Sequence, residues 1–172
     1  TREFMVMAAW HLLEKDELRQ RFLDGDDADK TAILREILRL EPMAGMIYRR
    51  TTAEVTGVTP EPIPADTRLS LSIRAANVDE AHVGACPFAL DPDRAKRFKV
   101  NDSYLSFGAG EHLCPGRNVA LSEARVAIYH LSVKLVTRGA GRSATAAVAY
   151  RAATCVPDER TATPEQAREE IE

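Results

Sequence analysis

Apolar residues recur at helical spacing in the first part of the chain. Between Phe4 and Phe22 they return every three or four positions, with charged residues on the opposite face, and this pattern predicts one amphipathic helix. The acidic run from Asp24 to Asp29 ends that helix and offers several N-caps for a second one. Pro42 ends the second helix, whose apolar positions are Ile33, Leu34, Ile37, Leu38 and Leu40.

The pattern changes after Tyr48, where threonine, valine and proline become frequent. Apolar and polar residues alternate over residues 69–73, which predicts short strands in this region. Residues 81–106 contain prolines and scattered charge without a steady period, so we expect a long irregular meander. After Gly116, alanine and leucine recur every three or four positions and predict a third helix. The chain is therefore expected to be mainly α-helical with a small β component.

The composition of the chain changes again near Val136. Arginine, alanine, threonine and glycine dominate the next residues, and the final residues are acidic. Because few large apolar side chains occur there, residues 136–172 are predicted to be a tail of uncertain structure behind a folded part, residues 1–135. The chain begins at Thr1 and enters a helical pattern at once, which suggests a fragment of a longer protein.

Composition and charge are those of a soluble globular protein. Hydrophobic residues make up 45% of the chain and charged residues 28%, so it can bury a core. The net charge of -3 provides no basic excess for binding phosphates, and nucleic acid is therefore not an expected partner. No apolar run is long enough to span a membrane and no secretory signal opens the chain, so a cytoplasmic location is predicted.

The strongest chemical signal lies between Ser106 and Gly116, where three glycines surround one cysteine. Glycine tolerates positive φ and lets a flat ligand approach the backbone closely. A helix is predicted directly after Cys114, and its positive dipole end favours the thiolate form of the sulfur. Cys86 and Cys155 have neither feature, so they are not expected to be ligands, and disulfide pairing remains an alternative for them.

This glycine-rich stretch resembles the haem-binding signature of the cytochrome P450 family, in which Phe, Gly, a basic residue, Cys and Gly recur at set offsets. The matching residues are Phe107, Gly110, His112, Cys114 and Gly116. The resemblance implies that residues 1–135 are the carboxyl-terminal part of that fold. It also implies that Cys114 ligates the iron of haem (iron protoporphyrin IX) as a thiolate.

The resemblance implies further cofactor contacts around the signature. Gly108 belongs to the same loop. Haem propionates need cationic or hydrogen-bonding partners, and His112 stands at one such position. Tyr104 stands where the family often has histidine. The Arg49–Arg50 pair provides another candidate, for which we select Arg50.

Three charged residues resemble the structural core of the same family. Glu36 and Arg39 are three positions apart and therefore lie on one face of the second predicted helix. Such a pair by itself is usually solvated and contributes little. The order of this pair and its distance before Cys114 match the family. In the family a second arginine, from the meander, joins the pair, and Arg94 resembles that arginine. These residues are expected to hold the fold and to have no chemical role.

The resemblance implies a haem-thiolate monooxygenase that uses dioxygen to oxidise a small organic substrate. No catalytic residue is assigned, because the family's oxygen-activating residues would lie outside this chain. A ferredoxin-type protein is the expected electron donor, and it would meet a basic surface formed by Lys96, Arg97, Lys99 and Arg117. The alternatives are a truncated haem-binding module or a scaffold without turnover. Self-association or a complementing chain would then cover exposed apolar surface.

Overall fold

Helices make up most of the structure. The computed structural model describes residues 1–100 and 104–137. Within these ranges the predicted mainly α architecture with a small β component is confirmed. The helices are α1 Arg2–Glu14, α2 Asp16–Asp24, α3 Asp27–Leu40, α4 Ile73–Asn77, α5 Glu80–Val83, α6 Arg94–Phe98 and α7 Arg117–Thr137, and the strands are β1 Met46–Arg50 and β2 Arg68–Ser72.

The first predicted helix is in fact two helices. Its chain breaks at Lys15, whose backbone is extended with φ -118° and ψ 97°. A continuous helix would carry Phe22 about 27 Å along the axis from Phe4, too far for both to enter one small core. The break turns α2 back, and both phenylalanine side chains are buried in the same apolar cluster. The prediction of a single helix was therefore wrong.

The second predicted helix is confirmed as α3. Asp26 is its N-cap, and its side chain accepts a hydrogen bond of 2.8 Å from the backbone N–H of Asp29. This bond satisfies one of the amides that lack a partner in the first turn of a helix. The apolar face of α3 packs against α1, α2 and α7. The buried members of this core are Phe4, Ala8, Leu12, Phe22, Ile33, Leu34, Ile37, Leu38, Leu121, Ala124 and Ile128.

The predicted strands form one antiparallel hairpin. Met46 pairs with Ser72 and Arg50 with Arg68, so each of the five residues of β1 has a partner in β2. β1 begins two residues earlier than the sequence pattern indicates. The side chains of Ile47 and its partner Leu71 both line the cavity described below.

The meander contains more regular structure than predicted, because α5 and α6 lie within it. Arg21 of α2 ties the meander to the helices. Its guanidinium donates two hydrogen bonds to Asp93, of 2.8 and 2.9 Å, and a third of 2.9 Å to Asp29 in α3. The same guanidinium holds the pKa of Asp93 below its usual range. This contact fixes the start of α6.

The predicted third helix is confirmed as α7, which continues to Thr137. The tail proposed for residues 136–172 lies almost entirely outside the described residues, so it stays a prediction. Among the helices that the structure describes, none is both long and apolar enough to cross a membrane.

Candidate functional site

The segment from Leu105 to Gly116, here called the cysteine loop, is closed by backbone hydrogen bonds. The N–H of Cys114 donates to the carbonyl of Phe107 over 2.8 Å. The N–H of Gly108 donates to Leu105 over 2.9 Å, and residues 110–112 form one 3-10 turn. These bonds bring Cys114 beside the first residues of the loop.

Two glycines of the cysteine loop have backbone conformations that other residues adopt only with strain. Gly108 has φ +76° and Gly110 has φ +60°. A Cβ added at Gly108 would lie 3.1 Å from the carbonyl oxygen of His112, which is tighter than ordinary van der Waals contact. The glycine spacing seen in the sequence therefore has a steric reason.

Cys114 lies immediately before the long helix α7. Its carbonyl accepts a hydrogen bond of 3.4 Å from the N–H of Arg117, the first residue of the helix. The positive end of the helix dipole therefore lies close to the cysteine. Cys114 is a free cysteine and is partly exposed.

A cavity of about 1030 Å³ opens beside Cys114. The cysteine loop, α1, α3, the hairpin and the segment after Pro42 each contribute to its walls. Five of the predicted cofactor contacts line it, namely Phe107, Gly108, His112, Cys114 and Gly116. Gly110 is in the same loop but not in the wall. The remaining lining is largely apolar and includes Phe4, Leu38, Met43, Ala44, Ile47 and Leu71.

Arg50 and Tyr104 do not reach this cavity. Arg50 forms an exposed ion pair of 2.8 Å with Asp66, whereas Arg49 lines the cavity. Successive side chains of a strand point to opposite faces, so only one residue of the pair can face the cavity. Arg49 therefore lies in the cavity wall and Arg50 does not, and a cofactor contact of either residue stays a prediction.

Tyr104 belongs to a different part of the structure. Its hydroxyl donates to Glu36 over 3.3 Å, and the guanidinium of Arg39 lies 5.6 Å from its ring centre. Burial, together with the nearby Glu36 carboxylate, raises the pKa of Tyr104. The structure thus places this residue on the buried charge cluster and gives it no place in the cavity wall.

The buried charge cluster consists of Glu36, Arg39 and Arg94. The side chains of all three are almost completely buried, with exposures of 2%, 0% and 2%. Arg39 donates to both carboxylate oxygens of Glu36, over 2.8 and 2.9 Å, and Arg94 donates to one of them over 3.3 Å. The structure brings together the three residues that the sequence assigned to the structural core.

The two arginines of this cluster also hold the meander. Arg39 donates to the backbone carbonyls of Pro87 and Ala89, and Arg94 donates to those of Val83 and Cys86. In a segment without regular structure, backbone carbonyls have no strand or helix partner. A buried carbonyl of this kind needs a hydrogen-bond donor from elsewhere. The two arginines of the cluster therefore supply the hydrogen-bond donors that strands or helices would otherwise provide in the meander.

Sequence reasoning missed Asn77 and Ser106. Asn77 is only 1% exposed, and its side chain contacts both α3 and the cysteine loop. Ser106 connects the same two elements. The periodicity of the chain gives no signal for either residue. Burial of a polar side chain, which the sequence does not reveal, is what marks them out.

The residues around the cavity fit haem. One free thiol stands at a helix start, glycines let the backbone approach closely, and the walls are mostly apolar. Arg49 and His112 add two side chains able to bind carboxylates. This is the donor set that a thiolate-ligated haem requires.

Comparison with known proteins agrees with this arrangement. A sequence model of the family described as Cytochrome P450 matches residues 30–131, which is more than half of the chain. Erythromycin C-12 hydroxylase of Saccharopolyspora erythraea is 39% identical over 100 residues, covering 56% of this chain and 23% of its own. Strychnine-11-hydroxylase of Strychnos nux-vomica is 35% identical over 104 residues, covering 58% and 20%.

Solved structures give the same result. The crystal structure of the Tepidiphilus thermophilus P450 heme domain superposes with a TM-score of 0.62 and 29% identity, and the match covers 76% of this chain and 30% of that one. The chain spans about a quarter of the length of the curated relatives described as Cytochrome P450 71D2 and Erythromycin C-12 hydroxylase. The cysteine loop, the buried charge cluster and these matches together establish that the chain belongs to the cytochrome P450 family.

Proposed function

We propose that this chain is the haem-ligating portion of a monooxygenase, with Cys114 as the thiolate ligand of the iron. The observation that carries the proposal is the position of this free thiol, in the cavity wall and directly before α7. When bound, haem with a thiolate ligand supplies the electron donation that favours cleavage of the O–O bond of dioxygen. The chain's own residues bind the group, orient it and exclude water.

Apolar side chains from three elements would keep water away from the sulfur. Phe4 comes from α1, Leu38 from α3 and Phe107 from the cysteine loop. All three belong to, or pack against, the buried core, so their positions are held by the fold. A dry environment strengthens every charge interaction in the cavity and tunes the properties of a bound metal.

Arg49 is proposed to bind a haem propionate. Replacing it with leucine is expected to lower haem affinity about tenfold, because a charge-assisted hydrogen bond is lost. The adjacent Arg50→Leu variant is the matched control, since its side chain pairs with Asp66 outside the cavity. Equilibrium haem titration of both variants measures the difference. Equal affinities for the two would contradict the assignment.

The substrate is proposed to be a small organic molecule. Met43, Ala44 and Ile47, in and after the turn that follows α3, line the cavity beside Leu71. Such apolar walls suit a largely apolar ligand. The two curated relatives described above are named as hydroxylases of erythromycin and strychnine, which supports a small-molecule substrate for this chain.

A ferredoxin-type protein is proposed as the electron donor. Lys96, Arg97 and Lys99 are exposed at and after α6, and Arg117 opens α7 next to the cysteine loop. Exposed basic side chains favour encounter with an acidic partner, and added salt weakens this attraction. Arg117 stands closest in sequence to Cys114, and its side chain is partly exposed.

Arg117→Glu is expected to slow reduction by a ferredoxin about tenfold at low ionic strength. The difference should shrink as salt is added, because screening removes the steering. Stopped-flow reduction of the haem-loaded chain measures the rate. Arg68→Glu on β2 makes the same charge change on the hairpin and serves as the control. Equal rates for the two variants at low salt would remove Arg117 from the docking surface.

The proposed function is tested by loading the 172-residue chain with haem and reducing it under carbon monoxide. A thiolate ligand gives a Soret band distinct from that of a thiol or an imidazole, so the expected spectrum is the thiolate type. Oxidation of small organic substrates with a reductase and ferredoxin then tests turnover. A thiolate spectrum without turnover would leave a haem-binding module, and no haem uptake would refute the proposal.

A further inference from the structure

Asn77 joins the cysteine loop to the end of α3. It is the last residue of α4 and is 1% exposed. Its side-chain amide donates to the carbonyl of Arg39 over 3.2 Å and to the hydroxyl of Ser106 over 2.9 Å. Its side-chain oxygen accepts from the N–H of Leu105 over 3.0 Å. Every hydrogen-bonding group of this amide is therefore directed at one of the two elements that it joins.

The partners of Asn77 and Ser106 on α3 are carbonyls that the helix itself leaves free. The carbonyl of Leu38 would bond to the N–H four residues later, but that residue is Pro42 and has none. The hydroxyl of Ser106 donates to it over 2.7 Å. The carbonyl of Arg39 also belongs to the last turn, where helical partners are absent. The cysteine loop is thus attached where α3 needs donors.

The attachment continues to the metal ligand through the backbone. Leu105 and Ser106 are held by Asn77 and by α3, and the next residue, Phe107, accepts the hydrogen bond from the N–H of Cys114. The residue that accepts the bond from Cys114 therefore follows the anchored pair directly in the chain. Displacing Leu105 would displace the carbonyl that orients the cysteine.

Asn77 also connects the loop to the buried charge cluster. The guanidinium of Arg39 donates to the backbone carbonyl of Asn77 over 3.1 Å, while the side chain of Asn77 donates to the backbone carbonyl of Arg39. Each of the two side chains therefore donates a hydrogen bond to the backbone carbonyl of the other residue. The charge cluster can act on the position of Cys114 through this contact.

We infer that Asn77 is a positioning residue for the haem ligand, which it aligns by holding Leu105 and Ser106 against the end of α3. The inference rests on the proposed function of Cys114. Asparagine is suited to this position because its amide donates twice and its oxygen accepts once. Aspartate would lose both donations, and serine or leucine could not bond to all three partners.

Asn77→Ala and the milder Ser106→Ala test the inference in the full chain. Loss of these outer contacts is expected to speed haem dissociation about ten- to a hundredfold and to reduce the fraction of the carbon monoxide complex with a thiolate-type Soret band. Without haem, the backbone amide of Cys114 should exchange its hydrogen at least several-fold faster. Ser106→Ala removes one hydroxyl only, so it keeps the test valid if Asn77→Ala does not fold.

Ile33→Ala provides a control for loss of stability alone. Ile33 is fully buried in the core of the helices and does not line the cavity. Its truncation lowers the melting temperature without removing a contact to the cysteine loop. If Asn77→Ala and Ser106→Ala match this control in haem dissociation, Soret band and Cys114 amide exchange, a purely structural role is left and the inference is overturned.

The outcomes also separate this inference from the proposed function. A wild-type chain without a thiolate-type spectrum refutes the proposed function. Faster exchange at Cys114 in the haem-free variants would still support the anchoring by Asn77. In the remaining outcome, the wild-type chain gives the expected spectrum while the variants change neither the spectrum nor the exchange rate of the Cys114 amide hydrogen. That result overturns the anchoring and leaves the proposed function standing.

Discussion

Cys114→Ser is expected to abolish the thiolate-type Soret band of the reduced, carbon monoxide-bound chain. A serine side chain lacks the sulfur that would donate charge to the iron, so the band of a thiolate-ligated haem should not form. The remaining cavity is unchanged in shape, and weak haem uptake can persist. Absorption spectra of matched, haem-saturated samples measure the effect.

Cys86→Ser is the control for Cys114→Ser, because it makes the same substitution at a described cysteine that does not line the cavity. It should retain the wild-type band. If Cys114→Ser keeps a band identical to that of the wild type, the sulfur is not the ligand. The proposed function would then be wrong, although the fold and the family would stand.

Glu36→Gln is expected to destabilise the folded chain by about 3–5 kcal/mol. The carboxylate compensates two buried guanidiniums, and it also accepts from the N–H of Asp91 and the hydroxyl of Tyr104. Glutamine keeps the shape of the side chain but leaves Arg39 and Arg94 as uncompensated buried charges. Chemical denaturation followed by circular dichroism measures the change in the free energy of unfolding.

Glu41→Gln makes the same chemical change directly after α3 and serves as the control. Its carboxylate pairs with Arg74 over 2.9 Å, and the guanidinium of that partner is about half exposed. A pair of this kind contributes about 1 kcal/mol or less. Equal destabilisation by the two variants would show that the buried cluster has no special energetic role.

Several parts of the fold could be predicted because their signals are local. The acidic run before α3 supplies the N-cap at Asp26, and the bond from Asp29 spans only three residues. The alternation around Leu71 identified β2, and the apolar repeat after Gly116 identified α7. The break at Lys15 could not be predicted, since helical phase continues through it and only the shared core of Phe4 and Phe22 requires the turn.

The candidate site shows the same division. The sequence identified the cysteine loop because glycine at positive φ and a cysteine before a helix are features of adjacent residues. The sequence analysis selected Arg50, whereas Arg49 lines the cavity and Arg50 pairs with Asp66. The sequence could not distinguish the two, because the face of a hairpin that borders a cavity depends on what packs against the hairpin. Tyr104 was assigned to the cofactor, and its hydroxyl instead reaches Glu36, 68 positions away in the chain.

By itself, the sequence determined the helical architecture, the cysteine loop with Cys114, and the identity of the three buried charges. Only the tertiary structure decided the turn at Lys15, the place of Arg49 in the cavity wall, and the hydrogen bonds by which Asn77 joins α3 to the cysteine loop. The physical reason is distance along the chain. Caps, turns and periodicity act within a few residues, whereas a buried polar side chain such as Asn77 is defined by partners 28 and 38 positions away.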